Sequence, residues 1–261
     1  MTNTDTDDGS ALEAARRAIQ EGDLATLTRL LAEHPRLATQ RIGPRTLLHV
    51  ATDWPGHFPG VVESIRALVS AGVNVNAPFV GTHAETPLHW AASSNDVAAL
   101  EALLDAGAHI EATGSVIGGG TALADAVAFG QWDAARRLVE RGARPTLWQA
   151  AALGLISRLD ECFAEQPLPD AAAITNAFWC ACHGGQREAA EYLLARGAEV
   201  NWVGYDELRP LDAAVRSGAN HLLPWLLSIG ARHAKEPVSV GACREALVFS
   251  CSDGGDHRTG I

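Results

Sequence analysis

The chain has 261 residues, 47% hydrophobic and 20% charged, a balance that supports a buried core and excludes a chain disordered throughout. A formal net charge of -11 argues against a nucleic-acid partner, because phosphate backbones are held by Lys and Arg. No run approaches the ~20 apolar residues needed to span a bilayer, so no membrane partner is expected.

Residues 1–9 carry Asp5, Asp7 and Asp8 without an apolar stretch, the opposite of a secretory leader, and read as a disordered acidic N-terminus. The five cysteines, Cys162, Cys180, Cys182, Cys243 and Cys251, are odd in number and irregular in spacing. They read as reduced thiols of a cytoplasmic protein. Lys235 is the only lysine, which points to a GC-rich bacterial coding sequence.

From residue 10 to 234 the chain repeats itself. Leu-Val or Leu-Leu pairs precede Gly72-Val73, Gly107-Ala108, Gly142-Ala143, Gly197-Ala198 and Gly230-Ala231, with glycines spaced by 35, 35, 55 and 33 residues. The long step accommodates an extra, shortened unit over Trp148 to Phe163, which lacks the Gly-Ala turn and runs into Glu165-Gln166-Pro167-Leu168-Pro169. Each glycine marks a helix end, where a left-handed residue is needed. About twenty residues earlier come helix starts at Thr46-Leu47-Leu48-His49, Thr86-Pro87-Leu88-His89, Thr121-Ala122-Leu123-Ala124 and Arg209-Pro210-Leu211-Asp212, where Thr caps and Pro fits the first turn. Two short antiparallel helices per unit follow. Small pairs such as Ala91-Ala92 and Ala126-Val127 let neighbouring helices approach, and the leucines fill the layers between units. Two insertions interrupt the pattern: Trp54 to Gly60, and Gly118-Gly119-Gly120 after Thr113-Gly114-Ser115. The triple glycine lacks the Lys and Ser or Thr of a phosphate cradle and reads as a flexible loop. Residues 235–261 read as a tail with one further short helix over Cys243 to Phe249.

The run Thr86-Pro87-Leu88-His89-Trp90-Ala91-Ala92 closely resembles the hallmark of the ankyrin repeat, and the resemblance covers about seven units, with Leu12 to Leu31 as an eroded N-terminal cap. It implies an all-α ankyrin-repeat solenoid that binds partners through hairpin tips and the exposed side of its inner helices, a concave surface. It carries over no catalytic residues. The resemblance also implies that His49 and His89 bond to neighbouring turn backbone.

Aligned on the small pairs, the solvent-facing position of the inner helices is taken by Val50, Trp90, Asp125, Gln149, Cys180 and Ala213, and one turn later by Trp54, Ser94, Phe129, Leu153, His183 and Ser217. Two readings stand for Trp90: a partner anchor, or a side chain packed against Trp54 and Phe58. Trp54, His57 and Phe58 read either as a lid over the groove or as a self-packed loop. Trp202 and Tyr205 sit at a hairpin tip suited to contact, whereas Trp148 and Trp179 align with His49 and His89 and read as core. Cys180-x-Cys182-His183 lacks a second ligand pair and puts its thiols on different helix faces, so no metal is expected, and no cofactor. The favoured function is binding of another protein on the concave face, with Trp54, His57, Phe58, Trp90, Asp125, Phe129, Gln149, His183, Trp202 and Tyr205 as contacts. The alternative is an apolar small molecule held in the groove, or an enzyme using Asp125 and His183 as an acid–base pair.

Overall fold

The computed structural model describes residues 3–234; the short helix expected over Cys243 to Phe249 lies outside them. Helices start where the sequence supplies caps. Thr46 and Thr86 accept from the backbone N–H of His49 and His89, whose Nδ1 atoms accept in return from the Thr N–H at 3.2 and 3.1 Å. Asp23 and Asp96 cap the partner helices of their repeats through the N–H groups of Thr26 and Ala99.

The chain forms two compact units that divide at Pro145/Thr146, at the start of the irregular repeat. The first unit holds α1 (Asn3–Glu21), α2 (Leu24–Glu33), α3 (Leu47–Ala51), α4 (Val61–Ser70), α5 (Pro87–Ser93), α6 (Val97–Asp105), α7 (Ala122–Ala128) and α8 (Trp132–Glu140). The inner helices α1, α3, α5 and α7 pack in succession, as do the outer helices α2, α4, α6 and α8. Helix α1 runs to Glu21, where Gly22 and Asp23 turn the chain into α2. The second unit holds α9 (Leu147–Leu153), α10 (Ile156–Ala164), α11 (Ala171–His183), α12 (Arg187–Leu194), α13 (Pro210–Arg216) and α14 (Leu223–Ser228), with α9, α11 and α13 stacked in order. Helix α11 runs to 13 residues because Asp170, rather than a hairpin, sets its start by accepting from Ala173 N–H at 2.7 Å.

The core follows the repeat. Ala91, Ala92, Leu100 and Leu103 in one pair, and Ala181, Cys182, Ala189 and Leu193 in another, are fully buried. Each buried leucine contributes about 2 kcal/mol of apolar burial. Gly107, with φ of +90°, follows α6 and allows the N–H of Ala108 to close on the Leu103 carbonyl at 2.9 Å.

Successive hairpins are fastened by side chains. Asn76 accepts from His109 N–H at 2.8 Å and donates to the Gly107 carbonyl at 3.1 Å. One repeat on, Glu111 accepts from Arg144 N–H at 2.7 Å, and in the second unit Asn201 bridges Arg232 and Gly230 in the same manner. No helix among the described residues is long and apolar enough to cross a membrane.

Candidate functional site at the hairpin tips of the first unit

The inner-helix stripe expected to face solvent is largely interior. Val50, Asp125, Gln149, Cys180 and Ala213 are all buried, and only Trp90 of that set keeps partial exposure. The short helices seat this position against the preceding hairpin. Gln149 was also placed one position out of register: its Oε1 accepts from Thr146 N–H at 2.8 Å, so it caps α9 as His49 and His89 cap α3 and α5. The run Ala150-Ala151-Ala152 made the alignment ambiguous, and the Thr cap resolves it.

Trp90 turns toward the hairpin at Phe79–Glu85 rather than toward the Trp54 insertion. Its ring meets His49 edge-on at 5.0 Å and Phe79 at 5.8 Å, and its Nε1 donates to Glu85 Oε2 at 2.9 Å. Phe79 in turn stacks on His83, with centroids 4.2 Å apart and planes 6° from parallel. The Glu85 carboxylate is buried where it accepts from Trp90, takes the N–H of Val116 from the next hairpin at 3.0 Å, and stands 3.2 Å from His83 Nδ1. Its backbone carbonyl meets His49 Nε2 at 3.1 Å. The two implied histidine bonds are thus present, since His89 Nε2 reaches the Gly120 carbonyl at 3.4 Å. Because Nδ1 of His49 accepts from Thr46, Nε2 carries the proton. Burial holds the ring neutral, with its pKa down at about 4, and burial likewise lowers that of His89.

The two tips touch through backbone. Ala84 N–H donates to the Gly114 carbonyl at 3.1 Å, and Gly114 has φ of +130° where a Cβ would stand 2.4 Å from the Ala84 carbonyl oxygen. No other residue fits there. The segment through Gly118-Gly119-Gly120 is not the floppy loop the sequence suggested. Gly114 N–H and Ser115 N–H both donate to the Gly120 carbonyl at 3.1 Å, and Gly119 N–H donates to the Ser115 carbonyl at 2.9 Å.

Beneath this loop sits Asp125, 0% exposed. Its Oδ1 accepts from Ser115 Oγ, while Oδ2 has no hydrogen-bond partner. Burial foremost, and the nearby Glu85 charge second, push its carboxyl up to about 8 against the pull of the Ser115 hydroxyl. At neutral pH it therefore holds its proton. Above the pair lies an open cleft of about 630 Å³ lined by Gly81, Thr82, His83, Ala84, Ser115 and Val116, among others. Val80 and Val116, one on each tip, are 62% and 50% exposed.

The remaining expected contacts lie elsewhere. The Trp54–Gly60 insertion is fastened to the α5–α6 turn: His57 N–H donates to Asp96 Oδ2 at 2.6 Å and its Nε2 meets the Ser94 carbonyl at 3.3 Å. Trp54 stays 51% exposed and Phe58 half-buried. Phe129 is half-buried at the end of α7. In the second unit Trp179 is buried and donates to the Leu208 carbonyl at 2.9 Å. His183, also buried, stacks on it at 5.5 Å. Tyr205, 55% exposed, meets Trp179 and the half-buried Trp202 edge-on. Cys180 and Cys182 are interior, and burial drives both thiols well above their usual range. The acid–base candidates Asp125 and His183 thus belong to different units, each packed into its own surroundings.

Sequence reasoning missed Phe79, His83, Glu85 and Ser115. A signal was present: Glu85 directly precedes the Thr86 cap, and Asp125 occupies the next repeat's position equivalent to Trp90, so two acids fall on neighbouring repeats.

No curated protein matches the chain. Among solved structures, the human ASB11 ankyrin repeat domain is similar at 23% identity, with 84% of each chain covered and a TM-score of 0.49. The ankyrin-repeat family profile (Ank_2, ankyrin repeats, in three copies) matches residues 13–114 and 65–149, together more than half of the sequence. With its all-α paired helices and Thr-capped inner helices, the chain belongs to the ankyrin-repeat family.

Proposed function

We propose that this protein is an interaction module that captures another protein at the paired hairpin tips 78–86 and 113–121 of its first unit. Ankyrin repeats generally mediate protein–protein interaction, which sets the class. The observation that carries the location is the pair of exposed valines, Val80 and Val116, on adjacent tips beside the same open cleft. Apolar side chains standing clear of a hydrogen-bonded backbone are what a partner can desolvate at little ordering cost. An open cleft favours a segment of a partner over a sequestered substrate. The unpaired thiols Cys162, Cys180 and Cys182 accord with a cytoplasmic setting. The acid–base reading draws no support from Asp125, sealed under Ser115, or from His183, stacked on Trp179.

The test places a photo-crosslinking amino acid at Val80, at Val116 and, as control, at the exposed Arg136 on outer helix α8. Capture is repeated with the Val80→Asp/Val116→Asp double variant. A partner linked from the tips and lost from the double variant is expected. Equal linking from Arg136, or capture unaffected by the double variant, would refute the assignment.

A further inference from the structure

We propose that residues 243–249, which lie outside the described residues, close the open end of the second unit by packing on α13 and α14 as the inner helix of one further repeat. The occupant is a segment of this chain, and the contact stands independently of the docking tips on the first unit.

The first observation is a face left incompletely covered. Thr52, Ala92 and Val127 stand six residues after the helix-capping residues Thr46, Thr86 and Thr121, and all three are at most 1% exposed. Val215 stands six residues after Arg209, the N-cap of α13, and is only half-buried. The partner helices show the same contrast. Leu100, Ala135 and Ala190 stand four residues after the N-caps Asp96, Gln131 and Gln186 and are 0% exposed. Leu223, four residues after Ala219, is half-buried, and Leu227 one turn on is 55% exposed. In the first unit α5 stacks on α3 and α7 on α5, whereas α13 and α14 are the last helices among the described residues. A repeat covers its second apolar face only with a neighbour.

The second is the course of the chain. The capping histidines His49 and His89 hold the backbone just ahead of the next inner helix, at the Glu85 and Gly120 carbonyls. Asp212 holds the equivalent place in α13, accepting from Arg209 N–H at 3.3 Å, and it takes the Ala234 N–H at 2.7 Å and His233 Nδ1 at 2.8 Å. Asn201 fastens Gly230 and Arg232 as Asn76 fastens Gly107 and His109, in a hairpin that leads into α7. The chain therefore leaves α14 by the path that elsewhere delivers an inner helix.

The third is register. Cys243 stands 13 residues after Gly230, the interval that separates Pro210, the first residue of α13, from Gly197. Ala246, Leu247 and Val248 then fall at the repeat positions of Ala213, Ala214 and Val215, and Cys243, Ala246 and Leu247 have the spacing of one apolar helix face. Asp253, Gly254 and Gly255 break the apolar pattern beyond, so one closing helix is expected there rather than a pair. A second copy of the chain is the competing occupant. The tether favours the intramolecular contact, because Ala234 is anchored nine residues from Cys243 and a short linker gives an effective concentration on the order of millimolar.

The test places a diazirine analogue of leucine at position 215 of the otherwise unchanged full chain and maps the photo-crosslink by mass spectrometry. A link at monomer mass into residues 243–249 is expected. A link at dimer mass makes a second copy the occupant, and a link confined to other segments leaves the face to them; either overturns the proposal. Amide hydrogen exchange of the wild type reads the same contact without a substitution. Residues 244–249 should exchange at least about tenfold more slowly than the same sequence as a free peptide. Leu247→Asp/Val248→Asp should abolish that protection and speed exchange in α13 and α14, with α5 and α7 unchanged. Free-peptide rates in the wild type, or unaltered α13 and α14 once the protection is lost, overturn the proposal.

Discussion

The indole Nε1 of Trp90 donates at 2.9 Å to Oε2 of Glu85, a carboxylate that also receives the N–H of Val116 from the following hairpin. One buried acid thereby ties the inner helix of one repeat to the tips of two. Replacing Trp90 with Phe deletes the donor while leaving an aromatic, though smaller, ring facing His49 and Phe79. The expected cost is about 1–3 kcal/mol in urea unfolding, with far-UV circular dichroism of the native state unchanged. A variant as stable as the wild type would show that the bond contributes nothing net.

Asp125 gives the protein a stability that falls with rising pH. Its carboxyl keeps its proton up to about pH 8 when folded but loses it near the ordinary aspartate value of 3.8 when unfolded, so the folded state binds the extra proton between those limits. Above pH 6.5 histidines of the unfolded chain are at most half-protonated, so the buried His49 and His89 oppose this decline only in part. From pH 6.5 to 8 the wild type should lose about 1 kcal/mol, and Asp125→Asn should remove this decline and be the more stable protein at pH 8. Thermal denaturation at four pH values reads both.

His49 acts with the opposite sign. Burial lowers its pKa from 6.5 to about 4, so the stability it confers is complete above pH 6.5 and is lost as pH falls toward 4. Gln149 performs the same capping task with an amide. His49→Gln should therefore be less stable than the wild type at pH 7, because the bond to the Glu85 carbonyl is altered. That deficit should shrink by about 3 kcal/mol by pH 4, as read from urea midpoints.

Asp96 serves two segments at once, capping α6 through Ala99 N–H and holding the insertion through His57 N–H. Asp96→Ala should cost about 2 kcal/mol or more, given a cap worth about 1 kcal/mol and a second buried acceptor removed. Amide hydrogen exchange should accelerate over residues 54–60 as well as at the start of α6. Acceleration at α6 alone would show that the insertion is held by other contacts.

The paired helices, the Thr caps and the positive-φ glycines were legible because each rests on local chemistry that recurs with the repeat. Gly107 and Thr86 carry their reasons within a few residues of themselves. The candidate site was legible only in part. Asp125 was singled out as groove-facing, yet it is buried beneath Ser115, ten residues earlier in the chain, and only the fold of the Gly114–Gly120 loop brings the two together. Trp90 was noticed for its size, but its partner is the Phe79–Glu85 hairpin rather than the Trp54 insertion, because Asp96 draws the insertion away. Gln149 was misread because three alanines in a row hide the register that the Thr146 cap sets.

The side-chain fastening of one hairpin to the next has a consequence for recognition. With Asn76 holding His109 and Glu111 holding Arg144, the separation of adjacent hairpins is fixed by side chains within the hairpins themselves. A partner therefore meets a ruler with set graduations. Affinity should depend on whether the partner's own side chains are spaced to match it, since the ordering cost has already been met in the unbound protein.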